Sequence, residues 1–137
     1  MVPKLIILLH LEVYFKAILY PPYLFVLFME KLSLSIQQKV LSGIWKPIQV
    51  SKGGPELSYI LFADDGMLFC EASTKQVKVV MDTLEEFCSA SRLRINTLNS
   101  KAMCSRMVQG ERKREIQHIS TVKFVADLGH YLGFPLV

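Results

Sequence analysis

The chain has 137 residues, room for one domain, since domains run about 100–200 residues. Hydrophobic residues at 51% and charged ones at 20% exclude a disordered tail, and 7 Gly with 6 Pro exclude a collagen-like or low-complexity chain. Three cysteines, Cys70, Cys88 and Cys104, form no Cys-x-x-Cys pair, which argues against a disulfide scaffold or a thiolate zinc site and for buried, reduced thiols. The net charge of +4 is uneven: residues 92–114 hold Arg92, Arg94, Lys101, Arg106, Arg112, Lys113 and Arg114 against Glu111 alone. Such a stretch suits either a solvated face or a phosphate backbone.

In chain order, Leu5–Leu11 is an apolar run behind Lys4, broken by His10. No small-residue cleavage site follows, so it does not read as a signal peptide. The longest uncharged stretch, Ala17–Met29, is thirteen residues and carries Pro21-Pro22. A bilayer span takes about 20, so no transmembrane span is expected. An apolar N-terminus of this kind expects a covering surface, a protein partner among the candidates. The pattern from Pro22 predicts a helix over 22–41, stopped by Gly43.

Ile44–Val50 and Leu57–Phe62, separated by Ser51-Lys52-Gly53-Gly54-Pro55, read as a hairpin, with Pro47 demoting the first run to an edge. After Ala63-Asp64-Asp65-Gly66, a third strand follows over Met67–Cys70. Ser73 and Gln76 have capping-box spacing, and Val77, Val80, Met81, Leu84, Phe87 and Cys88 form one stripe, which predicts a helix over about 74–90. Leu93–Ile95 and Ala102–Cys104 are short strand candidates, Gly110–Ser120 a polar helix, and Tyr131–Val137 a last strand. Mixed helices and antiparallel strands make an α+β domain.

Asp64-Asp65 carry the chemistry most worth following. Two adjacent carboxylates at an apolar hairpin tip repel and cost desolvation. A hard divalent cation removes that cost, while an ordinary Asp-Gly turn fits the same residues. His10, His118 and His130 share no metal-ligand spacing, so surface or capping roles are expected. Trp45, Tyr59, Phe62 and Phe69 are expected in the core. No Gly-x-Ser-x-Gly elbow or Gly-x-x-x-x-Gly-Lys loop is present.

Phe62-Ala63-Asp64-Asp65 in this strand–turn–strand setting resembles the catalytic hairpin of reverse transcriptases. The wider pattern is similar to the polymerase of non-LTR (LINE-type) retrotransposons, especially plant ones. Pro22-Tyr23-Leu24-Phe25 with Met29-Glu30-Lys31-Leu32, Trp45-Lys46-Pro47-Ile48, Leu84-Glu85-Glu86-Phe87-Cys88, Arg94-Ile95-Asn96 and Tyr131-Leu132-Gly133-Phe134-Pro135-Leu136 match it in order over residues 21–137. Residues 1–20 are unmatched.

The resemblance implies a partial polymerase palm, an antiparallel sheet with packed helices. It implies RNA-directed DNA synthesis by two-metal chemistry on an RNA template and DNA primer, with Mg²⁺ or Mn²⁺ as cofactor. Asp64 and Asp65 would be its catalytic and metal-binding residues. The basic residues Arg92, Arg94, Lys101, Arg106, Arg112, Lys113 and Arg114 would face nucleic acid. The departures imply loss of activity. The family's further Asp on an earlier strand has no counterpart, because residues 1–20 hold no Asp and Glu12 is their only carboxylate. Its Gln-Gly-Asp-Pro-Leu-Ser-Pro template loop is replaced by Lys16-Ala17-Ile18-Leu19-Tyr20-Pro21-Pro22, and Arg92 stands where a Gly is common. Weak metal binding without polymerisation is therefore expected. The alternative is a non-catalytic nucleic-acid-binding or interaction protein reusing the palm.

Overall fold

The computed structural model describes residues 2–13, 22–62, 64–125, 130–131 and 134–135. The expectations placed on Lys16–Pro21, Ala63, Leu132, Gly133, Leu136 and Val137 lie outside them.

The fold is organised around one strand, β1 (Lys4–Val13). It is central in the sheet, with strands on either side, and its apolar run is continuous because both its faces are covered, each by its own cluster. On one side it pairs antiparallel with β5 (Asp65–Glu71), in a register that sets Leu5 against Cys70 and His10 against Asp65. On the other it pairs antiparallel first with β7 (Lys101–Cys104) and then, over Leu11–Val13, with β6 (Leu93–Ile95). β4 (Tyr59–Phe62) lies outside β5, and β8 (Lys123–Phe124) runs parallel to β7. The surface that covers the Leu5–Leu11 run is thus the chain's own sheet and helices.

Period-two alternation gives β1 two different faces. Leu5, Ile7, Leu9 and Leu11 enter the main core with Trp45, Leu68 and Cys70 and with apolar residues of three helices. Ile6 and Leu8 enter a smaller cluster with Met67, Phe69, Ile48, Leu57 and Met103. Over that second face sits the short hairpin of β2 (Ile48–Gln49) and β3 (Glu56–Leu57). The expected hairpin across Ser51–Pro55 therefore exists, with two residues per strand, while Tyr59–Phe62 pairs with β5 instead.

Helix α1 (Pro22–Leu41) matches its predicted bounds. Its end is a Schellman motif: Ile44 N–H donates to Lys39 O, Gly43 N–H donates to Val40 O, and Gly43 takes φ +81°. Met29, Leu32 and Ile36 face the core. Lys39 Nζ ties α1 to α2 (Thr74–Ser91) by donating to Thr83 Oγ1 at 2.9 Å.

Ser73 caps α2, its Oγ accepting from Gln76 N–H. The reciprocal half of a capping box does not form. Gln76 is buried and turns to the loop after α1, donating to Ile44 O and accepting from Lys46 N–H. The expected stripe of α2 holds at Val77, Val80, Leu84 and Phe87, with Met81 and Cys88 half-buried at its margin.

The polar helix α3 (Gly110–Ser120) packs on α2 through buried Ile116. β9 (His130–Tyr131) and β10 (Phe134–Pro135) form a last two-residue pairing. This is the expected α+β class: helices on a mostly antiparallel sheet. Among the described residues no helix is long and apolar enough to cross a membrane.

Candidate metal centre

The second face of β1 changes character along its length. Ile6 and Leu8 are covered, and His10 and Glu12 follow them on the same side. On β5 the same alternation puts Asp65 on the side of Met67 and Phe69. On β7 and β6 it puts Lys101 and Arg94 there, since Ala102 and Leu93 face the main core. One sheet face therefore passes from an apolar patch under the β2–β3 hairpin to a polar end holding His10, Glu12, Asp65, Arg94 and Lys101.

The hairpin tip supplies the two carboxylates. Asp64 is in the turn, and its backbone carbonyl accepts from Leu11 N–H at 2.8 Å. Gly66 lets β4 and β5 close on each other, as a Cβ there would stand 3.0 Å from Leu61 Cδ2. Asp65 opens β5 directly opposite His10.

His10 Nδ1 lies 2.7 Å from Asp65 Oδ1, and Nε2 lies 3.8 Å from Asp64 Oδ2. Among the described residues these three form a group whose ligand atoms lie within 4.8 Å of one another. The bond to Asp65 is the main cause that raises the His10 pKa above its ordinary 6.5; desolvation opposes it, and the charges of Asp64, Asp65 and Glu12 add to the rise.

The backbone of His10 is held at the point where β1 changes partners. Its N–H donates to Ser100 Oγ at 3.1 Å, and its carbonyl accepts from Asn96 N–H at 2.8 Å. Ser100 Oγ in turn donates to Asn96 O. The Asn96–Ser100 turn thus fixes the imidazole's height on the sheet. Glu12 is committed elsewhere, accepting from Arg94 Nε at 2.5 Å and from Asn96 Nδ2 at 3.2 Å.

His10 corrects the expectation of a surface or capping role. Chain spacing cannot show the grouping, because His10 and Asp65 are 55 positions apart. The signal available was the unbroken apolar run ahead of His10, the mark of a strand buried on both faces. Phe62 is also corrected. It is 42% exposed beside the tip, whereas Trp45 is fully buried and donates its indole N–H to Phe69 O.

The seven basic residues do not form one patch. Arg92, Arg94 and Lys101 are exposed near the polar end of β1. Arg106, Arg112, Lys113 and Arg114 belong to the opposite end, where Ser105 meets Lys4 and Arg112 reaches Ala72 O at 3.4 Å. Along β1, Arg94 opposite Glu12 lies roughly 26 Å from the Lys4–Ser105 contact, with Lys101, opposite Leu8, about midway. The cysteines offer no reactive thiolate: burial pushes Cys70 up to about 12 and raises Cys88 and Cys104 as well.

The donor set does not suit a pair of Mg²⁺ ions. Each would need near-octahedral oxygen coordination, and among the described residues the third group in reach of Asp64 and Asp65 is an imidazole. A family model described as reverse transcriptase (RNA-dependent DNA polymerase) matches residues 20–136. No curated protein matches the chain significantly.

Proposed function

The chain belongs to the reverse transcriptase family, and we propose that it is a palm of the non-LTR, LINE-type branch, plant-like, that no longer polymerises. Members of the family generally use divalent metal ions and act on a nucleic-acid template and primer. In this chain Asp64 and Asp65 take the places of the metal-binding and catalytic carboxylates, on the strength of the Phe62-Ala63-Asp64-Asp65 tip. The observation that carries the loss of activity is His10. It stands opposite Asp65 on the central strand, where a third carboxylate would complete the oxygen cage. With an imidazole there, Mg²⁺ or Mn²⁺ binds weakly, and neither the primer hydroxyl nor the departing pyrophosphate finds a paired-ion clamp.

Arg92, Arg94 and Lys101 flank this end of the sheet and are the part of the basic stretch suited to an RNA template or DNA primer there. Arg106, Arg112, Lys113 and Arg114 suit only a nucleic-acid strand that runs on to the Lys4 end of β1.

Primer extension on an RNA template, with Mg²⁺ or Mn²⁺, tests the reading. No extension is expected. Product that disappears in Asp64→Asn would overturn the loss of activity. RNA binding, read at graded salt, is expected to weaken steeply as salt rises. Binding indifferent to salt, or unchanged when Arg94 and Lys101 become Glu, would remove the nucleic-acid surface.

A further inference from the structure

The donor atoms that disfavour a Mg²⁺ pair favour a different ion. His10 Nδ1 lies 2.7 Å from Asp65 Oδ1 and Nε2 3.8 Å from Asp64 Oδ2; in the tautomer whose Nδ1–H donates to Asp65, the lone pair is left on Nε2. This is the arrangement in which an outer carboxylate orients a metal-binding imidazole and raises its basicity. A metal ion holds nitrogen and oxygen ligands at about 2.0–2.2 Å, so one ion bridges a gap of up to ~4.2 Å. The two partners differ usefully in freedom. His10 is pinned on the central strand by Ser100 and Asn96, while the Asp64 side chain is 53% exposed and can swing to fit.

Nitrogen donors discriminate among ions. Imidazole suits Zn²⁺, Co²⁺ and Ni²⁺, whereas Mg²⁺ keeps to oxygen and dehydrates reluctantly. We propose that His10 and Asp64, with Asp65 orienting the imidazole, form a single-ion site for a borderline divalent transition metal, Zn²⁺ foremost. The remaining coordination positions open to solvent, since His10 and Asp64 are both partly exposed. The proposal deepens the reading above and rests on it only for the place of the centre. The ion preference follows from the donor atoms of this chain and is measured without any polymerase assay.

The experiment titrates the full chain with Co²⁺, follows its visible absorption, and then competes with Zn²⁺ and with Mg²⁺. One Co²⁺ per chain is expected, displaced by stoichiometric Zn²⁺ and retained in a large excess of Mg²⁺. His10→Gln and Asp64→Asn should each abolish the signal with an unchanged circular dichroism spectrum. Asp65→Asn should weaken binding about 10–100-fold, the usual effect of losing an outer partner. His10→Asp should reverse the preference, toward Mg²⁺ and Mn²⁺. Displacement of Co²⁺ by Mg²⁺ at comparable concentration in the native chain would overturn the proposal without any variant. So would a signal that survives in His10→Gln, which would place the ion on His118, His130 or a thiol. Either result leaves the primer-extension outcome untouched, so the two readings fail separately.

Discussion

The two faces of β1 obey different rules within one strand. Leu5, Ile7, Leu9 and Leu11 all point into the main core, and none is more than 1% exposed. Ile6, Leu8, His10 and Glu12 point the other way and grade from apolar to charged over the same length. Stability is written on the odd positions and on Ile6 and Leu8, and chemistry on His10 and Glu12. Beyond Leu8 a substitution's effect should be readable from the parity of its number.

The strongest way to break this comparison is on the odd face. Leu9→Ala should destabilise the chain by about 2–5 kcal/mol, since Leu9 is 1% exposed within the main core, which cannot collapse fully into the gap. Denaturant unfolding measures it. His10→Gln, one residue on, should shift the midpoint far less while changing the metal titration. If the two variants unfold alike, the division of labour is wrong.

A smaller effect of opposite sign lies where α2 hands over to β6, the strand that holds the polar end of β1. Arg92 takes φ +62° there, a left-handed conformation in which its N–H bonds Cys88 O. A side chain costs roughly 1–2 kcal/mol in that region and glycine does not. Arg92→Gly should raise stability by about 1 kcal/mol and leave Co²⁺ binding unchanged. A drop in thermal midpoint would show that the Arg92 side chain contributes more than its backbone strain.

The smallest effect sharpens the even face. The His10 pKa is raised above 6.5 in the fold, chiefly by its bond to Asp65 and also by Asp64 and Glu12. The protonated, paired form then stabilises the fold fully below about pH 6.5, and the contribution fades as pH rises through the higher folded value. Metal-free chain should lose a little thermal stability across that window, and His10→Gln should not. The C2 proton of His10, followed by NMR, should titrate above 6.5. A value below it would contradict the pairing.

Much of this molecule was legible before the structure, for definite reasons. The helix over Pro22–Leu41 announces itself with proline at one end and glycine at the other, and both perform the roles that local sterics assign them. Ser73 and the stripe from Val77 to Phe87 define α2 because the signals are local and periodic. Gln76 misleads, since its side chain answers to a loop 32 positions away rather than to its own helix. The carboxylates Asp64 and Asp65 could be singled out from their setting. His10 could not, because what brings it to the two carboxylates is a register between strands distant in the chain. The strand β1 left only its unbroken apolar run as a signal: a run apolar on both faces has no alternation to tell it from a buried helix segment. The partition of the basic stretch was hidden too, as charge counted along the chain does not reveal that β7 runs from Lys101, opposite Leu8, back to the Lys4 end and so away from Arg94.

The central place of β1 also bears on how the chain reaches this fold. Lys4 bonds to Ser105 across 101 positions, so β1 is completed by a strand made long after it. At ribosomal speeds of about 5–20 residues per second, Leu5–Leu11 waits on the order of 5–20 s for β7 after leaving the tunnel. Until β5 is made both edges of this apolar strand are open, and until β7 is made one still is, available to any similar segment nearby. Yield in the cell should accordingly depend on holdase capacity and on translation rate more than on the stability of the finished sheet.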